Sequence, residues 1–585
     1  MIKFFNKSHL VKYFVILGVA GFTTSLFAES QVKRYMFSHP QWSEEVEVKD
    51  NKFCKKNGDC AIIEVMEEGK ISVKWDKYSP ETFVQVNNTS SYRYVSDNIE
   101  KEYEQFVYSL EEPYVKVNPY GKTPLSALVK FPTEEETKIS IRIKGKDGAP
   151  DIVHEFDGFK KEHNIPLLGL FPNHDNKVVI RAKNKKGVSK TSEINVQIGN
   201  PEEAEYWFPI VKKDKNFHYY ALSEGLVFDE IGNLRYQFVD FGWYLTYFYK
   251  DNVFVEHTRG IHRYSLLGES IQKYSYPEGF YGYMHGMGFK DNGNLLVYGS
   301  FDGSKAIFDG EEQESHRDFV LELDIETGKE IARYDLAEMI NPDRSLIVKS
   351  AFKEIGKIDW AHTNGVDYDA KNKAIIVSGR HFGIVKIDEK TKKPIWWMTP
   401  HQLTHKSGRK GDKGDVSHLL LTAVDKKGKP YSKAVQQGIE KVSDFKWPLK
   451  THSVRYAGKG IVSIFDNSGD MYDKKLYTTQ NSVGSVFKID DKKKTVQQLF
   501  LKELPHYSET GSIVIVHPKT KDYWVVASNV KNQNHTKMKD AHVYRFDKGG
   551  KEVYHAVFHS EGNWWPYMIY PYEFYSKNNW PTPQE

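Results

Sequence analysis

Three segments of the chain repeat one pattern: MHGMGFKDNGNLLVYGS from Met284, AHTNGVDYDAKNKAIIVSGRH from Ala361 and THSVRYAGKGIVSIFDN from Thr451. In each, a histidine (His285, His362 or His452) precedes an alternating apolar run, a Gly/Asn/Lys turn and a second apolar run, which reads as a β-hairpin. Strands that recur with one pattern stack as equivalent sheets, so this repeat limits the fold more than any other feature. If the sheets are arranged radially, the starts of their inner strands meet around an axis. The three imidazoles then form a cluster at the mouth of a central channel.

The remainder of the chain fits this reading. From about residue 217 to 575 it is almost all strand and turn, apart from a possible helical turn at Leu336 to Met339. Strand pairs start near Leu222, His285, His362, His452, Ser512 and Ala541, and six starts argue for a six-bladed β-propeller over residues 201–585. Before it, LSALVKF, KISIRIKG, HNIPLLGLF, NKVVIRAKN and SEINVQIG are short alternating runs that predict a small β-sandwich over residues 111–200. The fold class expected is all-β, a six-bladed propeller preceded by a sandwich. Residues 29–110 read as an N-terminal extension with strand-like runs and no assigned role. The insertion between Trp397 and Trp447, which holds SGRKGDKGD, reads as a lid or rim because it runs directly into His452.

The first residues carry Lys3, Lys7 and Lys12 without an acid, then an apolar stretch from Tyr13 to Phe22, then small and polar residues, which predicts a signal peptide over residues 1–28. No membrane span is expected after its cleavage. Removing it takes those three charges from the formal +4 and leaves +1, a balance with no electrostatic footprint for nucleic acid. An exported chain meets oxidising conditions, so Cys54 and Cys60 in FCKKNGDC predict a local disulfide across an Asn-Gly-Asp turn.

Taken singly, each histidine reads as a structural hydrogen-bonder, but recurrence at one repeat position argues for a functional cluster. Imidazoles serve as metal ligands, acids, bases or nucleophiles. The second repeat ends in Arg380, whose guanidinium repels a divalent cation and binds oxyanions through paired hydrogen bonds. Asn364 lies two residues after His362 and on an extended strand faces the same side, adding a neutral donor. The set therefore reads as an oxyanion site with no metal and no cofactor. The aromatics of GFYGYMH and YPYEFY are candidates for stacking an aromatic substrate.

The motifs NPYGKTPLSALVKF, HNIPLLGLFPNHDNKVVI, HGMGFKDNGNLL, DWAHTNGVDYDAKNKAIIVSGRHFGIVKID and THSVRYAGKGIVSIFDN resemble those of the bacterial arylsulfate sulfotransferases, over roughly residues 110 to 530. The resemblance implies a periplasmic homodimer that moves a sulfuryl group from a phenolic sulfate ester to a phenol without a nucleotide donor. It implies a ping-pong cycle through a sulfohistidine on His452, with His285, His362 and Arg380 as the other catalytic groups and Asn364 and Thr510 as substrate-binding groups. Two departures stand out. The family's disulfide loop ahead of the nucleophile has no cysteine here, and His285 is followed by Gly286 and Met287 where an acidic residue is common. The competing readings are a non-catalytic periplasmic propeller that binds an anion or glycan, and a metal-dependent hydrolase with three histidine ligands.

Overall fold

The computed structural model describes residues 33–576, apart from the segments 40–41, 56–57, 68–69, 76–80, 87–90, 96–98, 200–205, 208–209, 213–217, 240–244, 284, 309, 343–352, 355–356, 402–415, 469–475, 532–538 and 561–565. The expected signal peptide and SGRKGDKGD lie outside the described residues. No described helix is long and apolar enough to cross a membrane.

The chain separates into two compact units, residues 1–94 and 95–585. In the first, the strand-like runs build one seven-stranded sheet around a core of Phe37, Phe53, Val73 and Phe83. Cys54 and Cys60 face each other across its last hairpin and are joined by a disulfide, as their spacing predicts.

The second unit opens with a six-stranded assembly around Ala127–Ile143. LSALVKF and KISIRIKG, read as two strands, are one: the intervening TEEET stays extended and partly exposed while the apolar ends on either side reach Val129, Phe131, Ile139 and Ile141 in the core.

Seven sheets follow among the described residues: a four-stranded one of Lys305–Phe308, Glu311–His316, Lys353–Glu354 and Lys357–Asp359, and six that come in chain order. The first holds Tyr219–Leu222, Leu226–Asp229, Leu234–Gln237 and the C-terminal Ile569–Tyr572; the second runs from Leu245–Tyr249 to Ser270–Ser275. The third centres on Leu295–Phe301, with Phe280–Gly282 and Gly288–Phe289 along one side. The fourth runs from Thr363–Asp369 to Pro394–Met398, the fifth from Thr451–Tyr456 to Thr495–Glu503, and the sixth from Ile513–Val516 to Glu552–Ser560.

Local chemistry explains the hairpins. Asp229, Asp324, Asp388, Asp425, Asp490 and Asp547 each begin a turn whose backbone N–H groups donate to that carboxylate. The strands between them are β-branched and aromatic, and Ala374–Gly379 is buried on both faces because sheets pack on either side of it.

Each sheet meets the next. Thr246 N donates to Ser223 O between the first and second, and Tyr249 stacks on Phe289 at 3.8 Å between the second and third. A Cβ on Gly288 would lie 2.9 Å from Val366 O, so glycine permits the close approach of the third and fourth. Thr451 Oγ1 donates to Gly379 O, Ser463 Oγ donates to Val514 O, and Tyr220 stacks on Tyr554, which carries the series through the fifth and sixth sheets back to the first. Six sheets joined in a closed series are consistent with the expected six-bladed propeller. The strand pair near Ala541 is not a separate start; it is the outer half of the sixth sheet. The second sheet, Leu245–Ser275, is not among the six expected starts and takes the place that Ala541 has among them.

The described part of the Trp397–Trp447 insertion includes Thr422–Val424, which pairs with Thr495–Gln497 at the outer edge of the fifth sheet. It needs no disulfide: Leu421, Val435, Phe445 and Trp447 pack together, and the Gln436 amide bridges Ala423 N and O.

Arg235 joins the sandwich to the first sheet. It is fully buried, pairs with Asp229 at 3.1 Å, donates to Gly169 O and lies 3.6 Å from the Phe171 ring. Arg235→Ala leaves the buried Asp229 carboxylate without its cation, held only by Asn233 and turn N–H groups, and the expected loss is about 3 kcal/mol, read as a lower urea midpoint with an unchanged m-value.

Candidate active site

The predicted histidines meet. The His285 ring lies 5.4 Å from His362 and 6.3 Å from His452 between centroids, although the three come from different sheets. His285 occupies the link between Phe280–Gly282 and Gly288–Phe289; His362 precedes Thr363–Asp369; His452 is the second residue of Thr451–Tyr456. His362 and Ser453 have φ of 49° and 56°, a region uncommon for residues with a Cβ. Each coincides with a register break, between Thr363 and Gly365 and between His452 and Arg455. Such bulges re-aim side chains, and these fall on the histidines that meet.

His452 is held at both ring nitrogens. Ser453 Oγ lies 3.0 Å from His452 Nδ1 and donates to Met568 Sδ. On the other side of the ring the Tyr567 hydroxyl lies 2.8 Å from Nε2. Tyr567 and Met568 arrive on the approach to the C-terminal strand, remote in sequence from the repeats.

His362 has a different partner. Its Nδ1 donates to Asp359 Oδ2 in a short hydrogen bond, and its backbone N donates to Asp359 Oδ1 at 3.1 Å. Asp359 ends Lys357–Asp359, a strand fixed by parallel pairing with Glu311–His316. Behind it, Asp318 accepts from Thr363 N at 2.8 Å and from the Tyr283 hydroxyl at 2.7 Å.

Arg380 donates to Glu509 O at 3.0 Å. Thr510 follows on the same segment, its hydroxyl accepting from Asn529 at 2.9 Å. Asn364 is buried, donating to Thr451 O at 2.7 Å and accepting from Ser378 Oγ at 3.1 Å, so its amide braces the strand that carries His452. Gly286 has φ 150°, and a Cβ there would come within 3.0 Å of the Tyr298 hydroxyl, which leaves no room for an acidic residue after His285. Of the aromatics proposed for stacking, Tyr283 stands 6.5 Å from His285, whereas Tyr572, Phe574 and Tyr575 of YPYEFY pack away from the histidines, against Phe248, Tyr219 and His154.

Four groups at the site escape the sequence reading: Asp359, Tyr567, His381 and Lys450. Two of them lie within the quoted motifs, Asp359 as the first residue of DWAHTNG and His381 directly after Arg380, and Lys450 immediately precedes THSVRY. Lys450 is 2% exposed, and burial followed by the charge of Arg380 brings its amine down to about 8. Burial likewise holds His452 and His381 well below the ordinary histidine range, with His285 and His362 next in effect respectively. Burial works against ionisation of Asp359, yet His362 holds its carboxyl well below the carboxylate range. Asp318 is pushed up to about 7, first by burial and then by the charge of Asp359.

Asp359, His362 and His381 offer ligand atoms all within 4.8 Å of one another. This differs from the three-histidine set of the metal reading. The charges of Arg380 and Lys450, which act on His381, oppose a divalent cation there. The same charges beside neutral imidazoles suit an oxyanion.

His285 Nδ1 is buried and has no hydrogen-bond partner among the described residues, and burial lowers the imidazole from 6.5 to about 3. A depressed pKa contributes stability above pH 6.5 that is lost as pH falls toward about 3, because the unfolded chain binds that proton more readily. His285→Asn removes this term, so its acid unfolding, followed by tryptophan fluorescence, occurs at lower pH than in the parent chain.

The family described as Arylsulfotransferase (ASST) matches residues 209–567, and the one described as Arylsulfotransferase Ig-like domain matches residues 114–199. The arylsulfate sulfotransferase AssT of Escherichia coli O6:H1 is 24% identical over 487 residues, covering 66% of this chain and 79% of that protein. AssT of Lelliottia amnigena is 25% identical over 498 residues with the same coverage. A solved structure of a protein of unknown function from Bacteroides caccae covers 58% of this chain and 92% of its own at 9% identity, with a TM-score of 0.30 that is too low to inform the fold. With more than half of its length matched, including every histidine of the cluster, the chain belongs to the arylsulfotransferase family and is an aryl sulfotransferase enzyme.

Proposed function

We propose that the chain carries a sulfuryl group from a phenolic sulfate ester to a phenol in a ping-pong cycle, with His452 Nε2 as the covalent carrier. The observation that carries this reading is the placement of His452: its ring stands 6.3 Å from that of His285 in the buried cluster, with Ser453 Oγ against Nδ1 and the Tyr567 hydroxyl against Nε2. Nε2 attacks sulfur, the N–S bond forms, and the S–O bond to the aryl group breaks. The departing phenolate takes a proton from His362 Nε2. In the second half a phenol returns a proton to His362 and its oxygen attacks sulfur, releasing His452.

The acid–base role goes to His362 because Asp359 lies against its Nδ1 and fixes the ring, whereas burial holds His285 and His452 below the ordinary histidine range. Arg380 and Lys450 neutralise the sulfonate oxygens in a setting where fixed charges act strongly. His285 adds a neutral N–H donor, and Thr510 lies beside the Arg380 anchor. Asn364 acts through Thr451 O by fixing the strand that carries the nucleophile.

The reading extends to the whole chain. Residues 1–28 direct export and are removed, the mature protein works in the periplasm as a homodimer, and residues 201–585 form a six-bladed catalytic propeller. The Cys54–Cys60 disulfide, which is stable in an oxidising compartment, supports export.

His452→Ala abolishes sulfate exchange between 4-nitrophenyl sulfate and phenol and loses the sulfuryl adduct seen by intact mass after donor is added; undiminished transfer in this variant removes the nucleophile assignment. Asp359→Asn lowers kcat by about 10²-fold or more. Its loss is larger with 4-methylphenyl sulfate than with 4-nitrophenyl sulfate, whose phenolate leaves without a proton. Equal losses with both donors count against His362 as the acid.

A further inference from the structure

Behind the histidines lies a buried carboxyl that the transfer steps do not use. Asp318 is fully buried and immediately precedes Phe319–Leu323, the strand that pairs with Leu295–Phe301 in the third sheet. Its backbone is fixed, because its carbonyl accepts from Leu336 N at 3.0 Å and the neighbouring Arg317 N donates to Ser300 Oγ at 3.1 Å. From this mount each carboxyl oxygen holds a different loop. Oδ1 accepts at 2.7 Å from the hydroxyl of Tyr283, two residues before His285, and Oδ2 accepts at 2.8 Å from Thr363 N, the amide directly after His362.

We propose that Asp318 is a positioning residue of the transfer reaction, joining the loops of His285 and His362 so that the group that binds the sulfonate and the group that protonates the leaving phenolate stand in register. The proposal rests on the reading of His362 as the acid. The backbone of His362 explains why such a hold is needed. Its φ of 49° lies in a region that a residue with a Cβ keeps only where its surroundings over-determine it. Two carboxyl groups do so on successive amides: Asp359 accepts from His362 N at 3.1 Å, and Asp318 accepts from Thr363 N. Hydrogen bonds from an N–H to a carboxylate are among the stronger ones in proteins. Without Asp318 only the Asp359 side remains, and the His362 ring loses its alignment on the leaving oxygen.

The hold survives a change of protonation. Burial and then the charge of Asp359 push Asp318 up to about 7, so both of its forms occur near neutral pH. Ionised, the carboxylate accepts from both loops. Protonated at Oδ1, it still accepts from Thr363 N and donates to the Tyr283 oxygen. Asparagine reproduces the second arrangement, with its oxygen towards Thr363 N and its amide N–H towards Tyr283, whereas alanine reproduces neither.

The test measures kcat and KM of the full chain with 4-nitrophenyl sulfate and 4-methylphenyl sulfate as donors and phenol as acceptor. Asp318→Ala is expected to lower kcat by about tenfold to a hundredfold with KM little changed, and by more with the 4-methylphenyl donor, whose phenolate needs the proton. A residue that only stabilised the fold would lower the folded fraction, seen by circular dichroism, and leave the ratio between donors unmoved. Asp318→Asn recovers most of the lost kcat. Tyr283→Phe deletes one hydroxyl and tests the His285 side even if Asp318→Ala does not fold; it lowers kcat by about fivefold, equally with both donors. Unchanged kcat in Asp318→Ala or Tyr283→Phe, or no recovery in Asp318→Asn, overturns the proposal. Equal losses with both donors in Asp318→Ala, where Asp359→Asn discriminates between them, also overturn it. Equal losses in both of those variants remove the acid reading and the proposal with it.

Discussion

The C-terminal strand Ile569–Tyr572 pairs with Tyr219–Leu222 in the first of the six sheets, joining the two ends of the series. Without it the first sheet loses an edge strand. The residues leading into that strand are Tyr567, whose hydroxyl lies against His452 Nε2, and Met568, which accepts from Ser453 Oγ. One pairing therefore both completes the first sheet and brings Tyr567 to the histidine cluster.

Burial then differentiates chemically identical side chains. His285, His362 and His452 begin as equivalent residues of a repeat, and their environments separate them. His452 is enclosed between Ser453 and Tyr567, His285 has a buried nitrogen without a partner, and His362 alone has a carboxylate against it. Arg380 and Lys450, close enough to depress the latter's pKa, give the site an excess of positive charge that a sulfonate relieves. The Asp318–Asp359 pair behind His362 shows the same logic: one carboxyl is held ionised by its histidine, and its neighbour is pushed up to about 7.

Much of this was legible in the chain. Hairpin repeats, Asp-initiated turns and alternating apolar runs are local, and they predict strands because backbone preference and side-chain alternation act over a few residues. The disulfide was legible for the same reason, since Cys54 and Cys60 are separated by one turn. Where the reading slipped, the information was non-local. Ala541 looked like a separate start because strand order within a sheet is decided by packing. The partner of Asn364 was non-local as well: its amide donates to Thr451 O, beside a register break that alternation alone does not show.

By itself the sequence determined the strands, the turns, the disulfide and the identity of the repeated histidines and Arg380, because each is written in adjacent residues or in a recurring motif. Tertiary structure alone decided which groups stand beside them. Asp359 is fixed by pairing with Glu311–His316, Tyr567 arrives with the closing strand, and Lys450 and His381 matter only because burial changes their charge. The division is physical: strand formation depends on near neighbours, whereas protonation and hydrogen-bond partnership depend on everything within a few ångströms, whatever its distance along the chain.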